Sequence, residues 1–137
     1  MQLIVNAADE LPIYRQIMRQ ITEAIAGARL KPGDRLPSHR ELSEQLVIAP
    51  LTVKKAYDEL ETLGYIETQR GRGTFVSAHL PELDRADQTG QLQQSARRLL
   101  AQAYLAGLTL PDAIALLNEA DRELTEGPAS VPEKESA

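Results

Sequence analysis

A mainly α-helical fold with one small β-hairpin is predicted by three features of this 137-residue sequence. Apolar residues recur every three or four positions in several stretches, the spacing of one helix face. Two pairs, Ser38 with Glu41 and Thr109 with Asp112, have the spacing of helix-start capping boxes. The segment 65–77 alone switches to a period of two, around a glycine-containing tip.

Taken in order, residues 1–11 form an extended lead-in, with Leu3, Ile4 and Val5 able to pack. A helix is expected from Pro12 to about Ala26. Proline suits its start, Ile13, Ile17, Ile21 and Ile25 repeat every four residues, and Gly27 closes it. Lys31-Pro32-Gly33-Asp34 is a turn by composition. The capping box at Ser38 opens a short helix to about Leu46, with Leu42 and Leu46 inward. Val47 to Ala49 turns the chain into the stretch Ala49–Gly64, APLTVKKAYDELETLG.

That stretch reads as the helix the rest of the chain serves. Val53, Ala56, Tyr57, Leu60 and Leu63 form its core face. Leu51, Thr52, Lys54, Lys55 and Asp58 lie off that face, mostly in the first two turns. Pro50 suits the first helical position, and Gly64 suits the left-handed residue after the last turn. Two short helices joined by a tight turn, the second bearing exposed cations, make a helix-turn-helix. The N-terminal end of such a second helix meets base edges and phosphates.

Strands are expected over Tyr65–Thr68 and Thr74–Ser77. Between them, Gln69-Arg70-Gly71-Arg72-Gly73 presents two arginines on a tight tip. Glycine lets a backbone approach a phosphate closely, and arginine suits a narrow minor groove. A hairpin of this kind after a helix-turn-helix is the wing of a winged helix. Residues 78–84 read as a linker. A helix from about Asp84 to Ala106 follows, ended by Gly107, and a last helix runs from the Thr109 capping box to about Leu124. The tail from Thr125 has no large apolar face and is expected to be disordered.

Composition bounds the partners. The chain has no cysteine, which excludes disulfides and thiolate metal sites. Neither His39 nor His79 has a carboxylate–histidine cluster around it, so no metal or cofactor is expected. His39 is expected to face solvent or phosphate. The net charge of −5 is unevenly spread. Residues 1–77 hold ten Lys/Arg and ten Asp/Glu, whereas residues 78–137 hold five and ten. The first part can therefore present a basic face, because local placement and not total charge governs DNA binding. No apolar run is long enough to span a membrane, and no signal peptide is evident, so a cytoplasmic protein is expected.

Leu36-Pro37-Ser38-His39-Arg40-Glu41-Leu42, Leu51 to Glu61, Gly64-Tyr65-Ile66 and Arg70-Gly71-Arg72-Gly73-Thr74-Phe75-Val76 closely resemble the DNA-binding domain of GntR-type transcription regulators. Pro12 to Ile17 and Leu30 to Asp34 also match, so the resemblance covers about residues 10–77. The short helical remainder resembles the YtrA-type branch, whose C-terminal part is implied to dimerise. The resemblance implies that Arg40, Thr52, Lys54 and the tip Arg70-Gly71-Arg72 contact double-stranded DNA. Ser38, Leu51 and Lys55 lie on the same segments and, with Arg35 between two of them, complete the candidate set. Three positions depart from the family pattern. Val47 stands where glycine is usual, Ala49 where a capping Ser, Thr or Asn is usual, and Leu51 where a polar residue is usual.

The expected organisation is a winged helix-turn-helix over 1–78, a two-helix dimerisation segment over 79–126, and a tail over 127–137. The last two helices carry apolar stripes that need a further surface. That surface is either the winged helix of the same chain or, as preferred here, a second copy. Leu92, Ala96, Leu99, Ala103, Ile114 and Leu117 are the candidate dimer seam. The expected function is a homodimeric regulator, a repressor, on a palindromic operator. A protein-binding winged helix would carry acidic or apolar residues in place of Arg40, Lys54, Lys55, Arg70 and Arg72; the opposite is seen. No nucleophile–base pair or phosphate loop supports an enzyme.

Overall fold

The computed structural model describes residues 2–81 and 85–127, with 85 and 86 by backbone alone. Five helices and three short strands follow in the order α1 (Ile13–Ala26), β1 (Arg35–Leu36), α2 (His39–Leu46), α3 (Pro50–Thr62), β2 (Ile66–Gln69), β3 (Gly73–Val76), α4 (Arg85–Leu105) and α5 (Leu110–Glu126). They form two compact units, Met1–Pro81 and Glu82–Ala137.

The first unit is a winged helix-turn-helix. Its core joins Ile17 and Ile21 of α1, Leu42 of α2, Val53, Ala56, Tyr57 and Leu60 of α3, and Leu36, Ile66 and Val76 of the sheet. Each Ile, Leu or Val side chain removed from water contributes about 1.5–3 kcal/mol. Of the predicted core face of α3, Leu63 alone stays outside, at the C-cap and 54% exposed. Gly64 has the expected left-handed backbone, φ 90°.

The wing is one strand wider than the hairpin predicted. β1 pairs antiparallel with β3, Arg35 opposite Phe75 and Leu36 opposite Thr74, so the sheet order is β1-β3-β2. The preceding turn sets this up. Asp34 N–H donates to Lys31 O, and Gly33 N–H donates to Val76 O at 2.9 Å. The hairpin strands begin and end one residue from the expected positions, with Ile66 opposite Val76 and Gln69 opposite Gly73.

Two helices end where expected, at Ala26 and Leu46, but the left-handed residue after each is not a glycine. After α1 the left-handed residue is Ala28 (φ 61°), not Gly27 (φ −86°). The N–H groups of Arg29 and Leu30 both reach back to Ala24 O, and only a reversal at Ala28 allows it. After α2 the left-handed residue is Val47 (φ 55°, ψ 54°). A β-branched side chain is strained there, so the glycine usual at this place is missed on physical grounds.

The lead-in is held by two glutamines of α1. Gln16 is buried, accepts from Asn6 N–H and donates to the carbonyls of Asn6 and Leu11. Gln20 accepts from Ile4 N–H and donates to Ile4 O. Leu3 and Val5 thereby pack on the core, while Ile4 stays exposed.

The second unit is a helical hairpin. Gly107 (φ 83°) ends the turn after α4. Thr109 and Asp112 make the reciprocal capping box that opens α5. Its helix continues to Glu126, so Thr125 and Glu126 are helical and not part of a tail; the rest of the expected tail, 128–137, lies outside the described residues. Ala103 of α4 and Ala113 of α5 are buried.

Candidate nucleic-acid interface

The site is built from the two helices of the helix-turn-helix and the wing. Ser38 caps α2: its Oγ accepts from Glu41 N–H, and the Glu41 carboxylate accepts from Ser38 N–H at 2.8 Å. That bond holds the Glu41 carboxyl below its usual range. Ser38 therefore places the start of α2, and Arg40, two residues on, is exposed in its first turn. His39 is half-buried. Its ring meets Tyr57 edge-on, centroids 5.0 Å apart. The Tyr57 hydroxyl donates to Pro37 O at 2.8 Å, and burial first, then the Glu41 charge, raises its pKa.

On α3, Leu51 is 76% exposed and Thr52 half-buried, both in the first turn. No side chain caps this turn, because the methyl group of Ala49 cannot accept a hydrogen bond. Lys54 and Lys55 are adjacent in sequence but differently used. Lys54 Nζ pairs with Asp58 Oδ2 at 2.7 Å, with both side chains more than half exposed. Lys55 Nζ lies 4.3 Å from the centre of the Tyr14 ring on α1. Lys55 is thus held against the body of the unit, and the structure does not bring it to the Lys54 side.

The wing tip is a tight turn in which Arg72 N–H donates to Gln69 O. Arg70, Gly71 and Arg72 are all exposed. The Arg72 guanidinium carbon lies 5.9 Å from the Phe75 ring centre, a cation–π distance. Arg35 crosses the base of the wing. Its Nε would be only 3.2 Å from a Cβ on Gly73, so a side chain at Gly73 would push Arg35 aside. Arg40 and Arg70 form no ion pair among the described residues.

Of the other candidate set, Leu92, Ala96, Leu99, Ile114 and Leu117 line one groove of about 510 Å³ between α4 and α5, with Ser95, Leu100, Leu110 and Ala113. Ala103 does not line it; it is buried. Sequence reasoning missed Tyr14, Pro37 and Tyr57 as supports of the reading head. It also passed over the Lys54–Asp58 pair, although four-residue spacing on a helix is the signal for one. Among the described residues no group of three His, Asp or Glu could hold a metal, and no helix is long and apolar enough to cross a membrane.

Residues 13–76 match the family model of bacterial regulatory proteins, gntR family. The HTH-type transcriptional repressor YtrA of Bacillus subtilis (strain 168) is 39% identical over 106 residues, which cover 77% of this chain and 82% of that one. The chain belongs to the gntR family. It is a DNA-binding transcription regulator, with YtrA among its relatives. The fold extends the likeness. The crystal structure of a transcriptional antiterminator from Listeria monocytogenes EGD-e superposes with a TM-score of 0.74 at 26% identity, covering 97% of this chain and 98% of that one. The DNA-binding domain of AraR, solved in complex with operator ORX1, superposes with a TM-score of 0.51 at 28% identity, covering 56% of this chain and 99% of that one. Regulators of this family are generally not enzymes.

Proposed function

We propose that this gntR-family regulator is a cytoplasmic repressor that binds a palindromic operator in double-stranded DNA as a homodimer. One observation carries the reading. The exposed side of the helix-turn-helix presents Arg40, Leu51, Thr52 and Lys54, and the adjoining wing presents Arg70 and Arg72. In this reading α3 enters the major groove with its first turns against base edges. Ser38 and the α2 N-terminus sit at the flanking phosphates, and the wing arginines with Arg35 follow the backbone into the minor groove. Lys55 contributes through its hold on Tyr14 rather than by contact.

The head over residues 1–78, extended to Pro81 by the packing of Leu80 on the core, is the reading module, and the segment to Glu126 is the dimerisation module. Leu92, Ile114 and Leu117 are 65%, 48% and 55% exposed around an apolar groove, a combination that favours burial against a second copy. The acidic surplus of residues 78–137 fits a segment kept away from phosphates. Recovery of genomic fragments bound by the full chain tests the proposal. A two-fold symmetric motif is expected; an asymmetric single motif contradicts it.

A further inference from the structure

The carboxylate of Asp58 stands on the exposed side of the helix proposed to read DNA, where phosphates would repel it. The other acidic residues of α3 are accounted for differently. Glu61 turns to the wing, where its Oε2 accepts from Thr68 N–H, and Glu59 is half-buried. Asp58 instead pairs with Lys54 of the reading helix at 2.7 Å. An exposed i,i+4 pair adds little to stability. Its consequence lies in what it does to the lysine.

We propose that Asp58 is a specificity-determining residue, which withdraws Lys54 from indiscriminate phosphate contacts while leaving it able to meet a base edge in the operator. The proposal rests on the reading of α3 as the groove-entering helix. Binding to random DNA is carried by phosphate neutralisation. A lysine shared with a carboxylate presents almost no net charge to a phosphate, and the carboxylate itself is repelled. The ammonium has three donors, however. It can keep one on Asp58 and offer another to the O6 or N7 acceptor of a guanine. In that register the pairing costs little, because Asp58 holds a flexible four-carbon stem in one place. Asp58 therefore lowers affinity for random DNA more than for the operator.

The test is a titration of the full-length protein on two duplexes of equal length. One has random sequence; the other is a tight binder selected from a randomised library by the unaltered protein. Asp58→Asn keeps the size of the side chain and removes its charge. The random duplex should bind about fivefold tighter, the scale of one unit-charge interaction at contact in water. The selected duplex should gain less than twofold, and the salt slope on random DNA should steepen. In the Lys54→Ala background only the repulsion of the carboxylate remains, so Asp58→Asn should strengthen both duplexes alike. With Lys54 present, equal gains on both duplexes would overturn the proposal, as would a gain confined to the random duplex that persists without Lys54, or a loss on the selected duplex, the last because Asp58 would then read a base itself. Lys54→Ala alone separates the two levels: no effect on either duplex sinks the docking of α3, whereas weakened binding with no response to Asp58→Asn sinks only the role of Asp58.

Discussion

The hydroxyl of Tyr57 donates a 2.8 Å hydrogen bond to the carbonyl of Pro37, tying the middle of the reading helix to the turn that precedes α2. The two residues are twenty apart in sequence, so the bond fixes how the two helices of the helix-turn-helix meet. Burial of the ring raises the hydroxyl pKa above its usual value near 10, which keeps the donor protonated. Tyr57→Phe should keep the packed ring and lose the bond, at a cost of about 1 kcal/mol in denaturant unfolding. A raised pKa contributes stability below the ordinary tyrosine range and loses it as pH climbs above that range. The parent protein should therefore lose stability above pH 10 more steeply than the variant. Parallel profiles for the two would mean that the hydroxyl is not held as described.

A second prediction concerns the α2 start. The Glu41 carboxyl is held below its usual value by Ser38. A lowered pKa gives stability that is present above the ordinary carboxylate range and lost as pH falls through and below it. Glu41→Gln retains an oxygen for Ser38 N–H but cannot titrate. Its stability should fall less between pH 5 and pH 3 than that of the parent, as read by thermal melts at each pH. An unaltered acid profile would remove Glu41 from the account.

The turn between α2 and α3 carries two correctable departures from helix-end chemistry. Val47 is left-handed and 87% exposed, so Val47→Gly removes strain without opening a cavity. Strain of about 1–2 kcal/mol, offset by about 0.5–1 kcal/mol of glycine backbone entropy, leaves a gain of up to about 1.5 kcal/mol. Ala49→Ser supplies the missing cap of α3 and should add about 1 kcal/mol. Urea midpoints of the single variants would check both, and a destabilised Val47→Gly would contradict the strain argument.

The wing arginines are expected to act as phosphate cations. Replacing both Arg70 and Arg72 by alanine touches no core residue. The slope of log affinity against log salt should become shallower by roughly 0.9 for each phosphate that is no longer neutralised. A slope identical to that of the parent would place the wing off the DNA.

Much of this architecture was legible because it is local. The four-residue repeat of isoleucines in α1, the Ser38 and Thr109 capping boxes and the Pro50-to-Gly64 frame of α3 each carry their own signal. The misses are non-local. β1 is two residues long and exists only because the Lys31–Asp34 turn lays it on β3. The left-handed backbone at Ala28 is imposed by the chain around it, on a residue whose own preference opposes it. The docking of the lead-in depends on Gln16 and Gln20, which nothing nearby in sequence marks as clamps. Among the candidate site residues, charge type was readable but direction was not. Lys55 turns to Tyr14 while its neighbour Lys54 turns to Asp58. Ala103 shows the same limit: its spacing fits the apolar stripe, yet it is buried and does not line the groove.

The division of labour between the two units is tested most directly by comparing the full chain with a fragment ending at Pro81. The fragment retains the whole core of the first unit, including Leu80 packed against it. Sedimentation and a titration on a palindromic operator duplex would be made on the same samples. The full chain should sediment as a dimer. The fragment should be a folded monomer whose affinity falls by on the order of a hundredfold, because its second head no longer engages at high effective concentration. A fragment that still dimerises, or a full chain that is monomeric at micromolar concentration and binds no better than the fragment, would contradict the account.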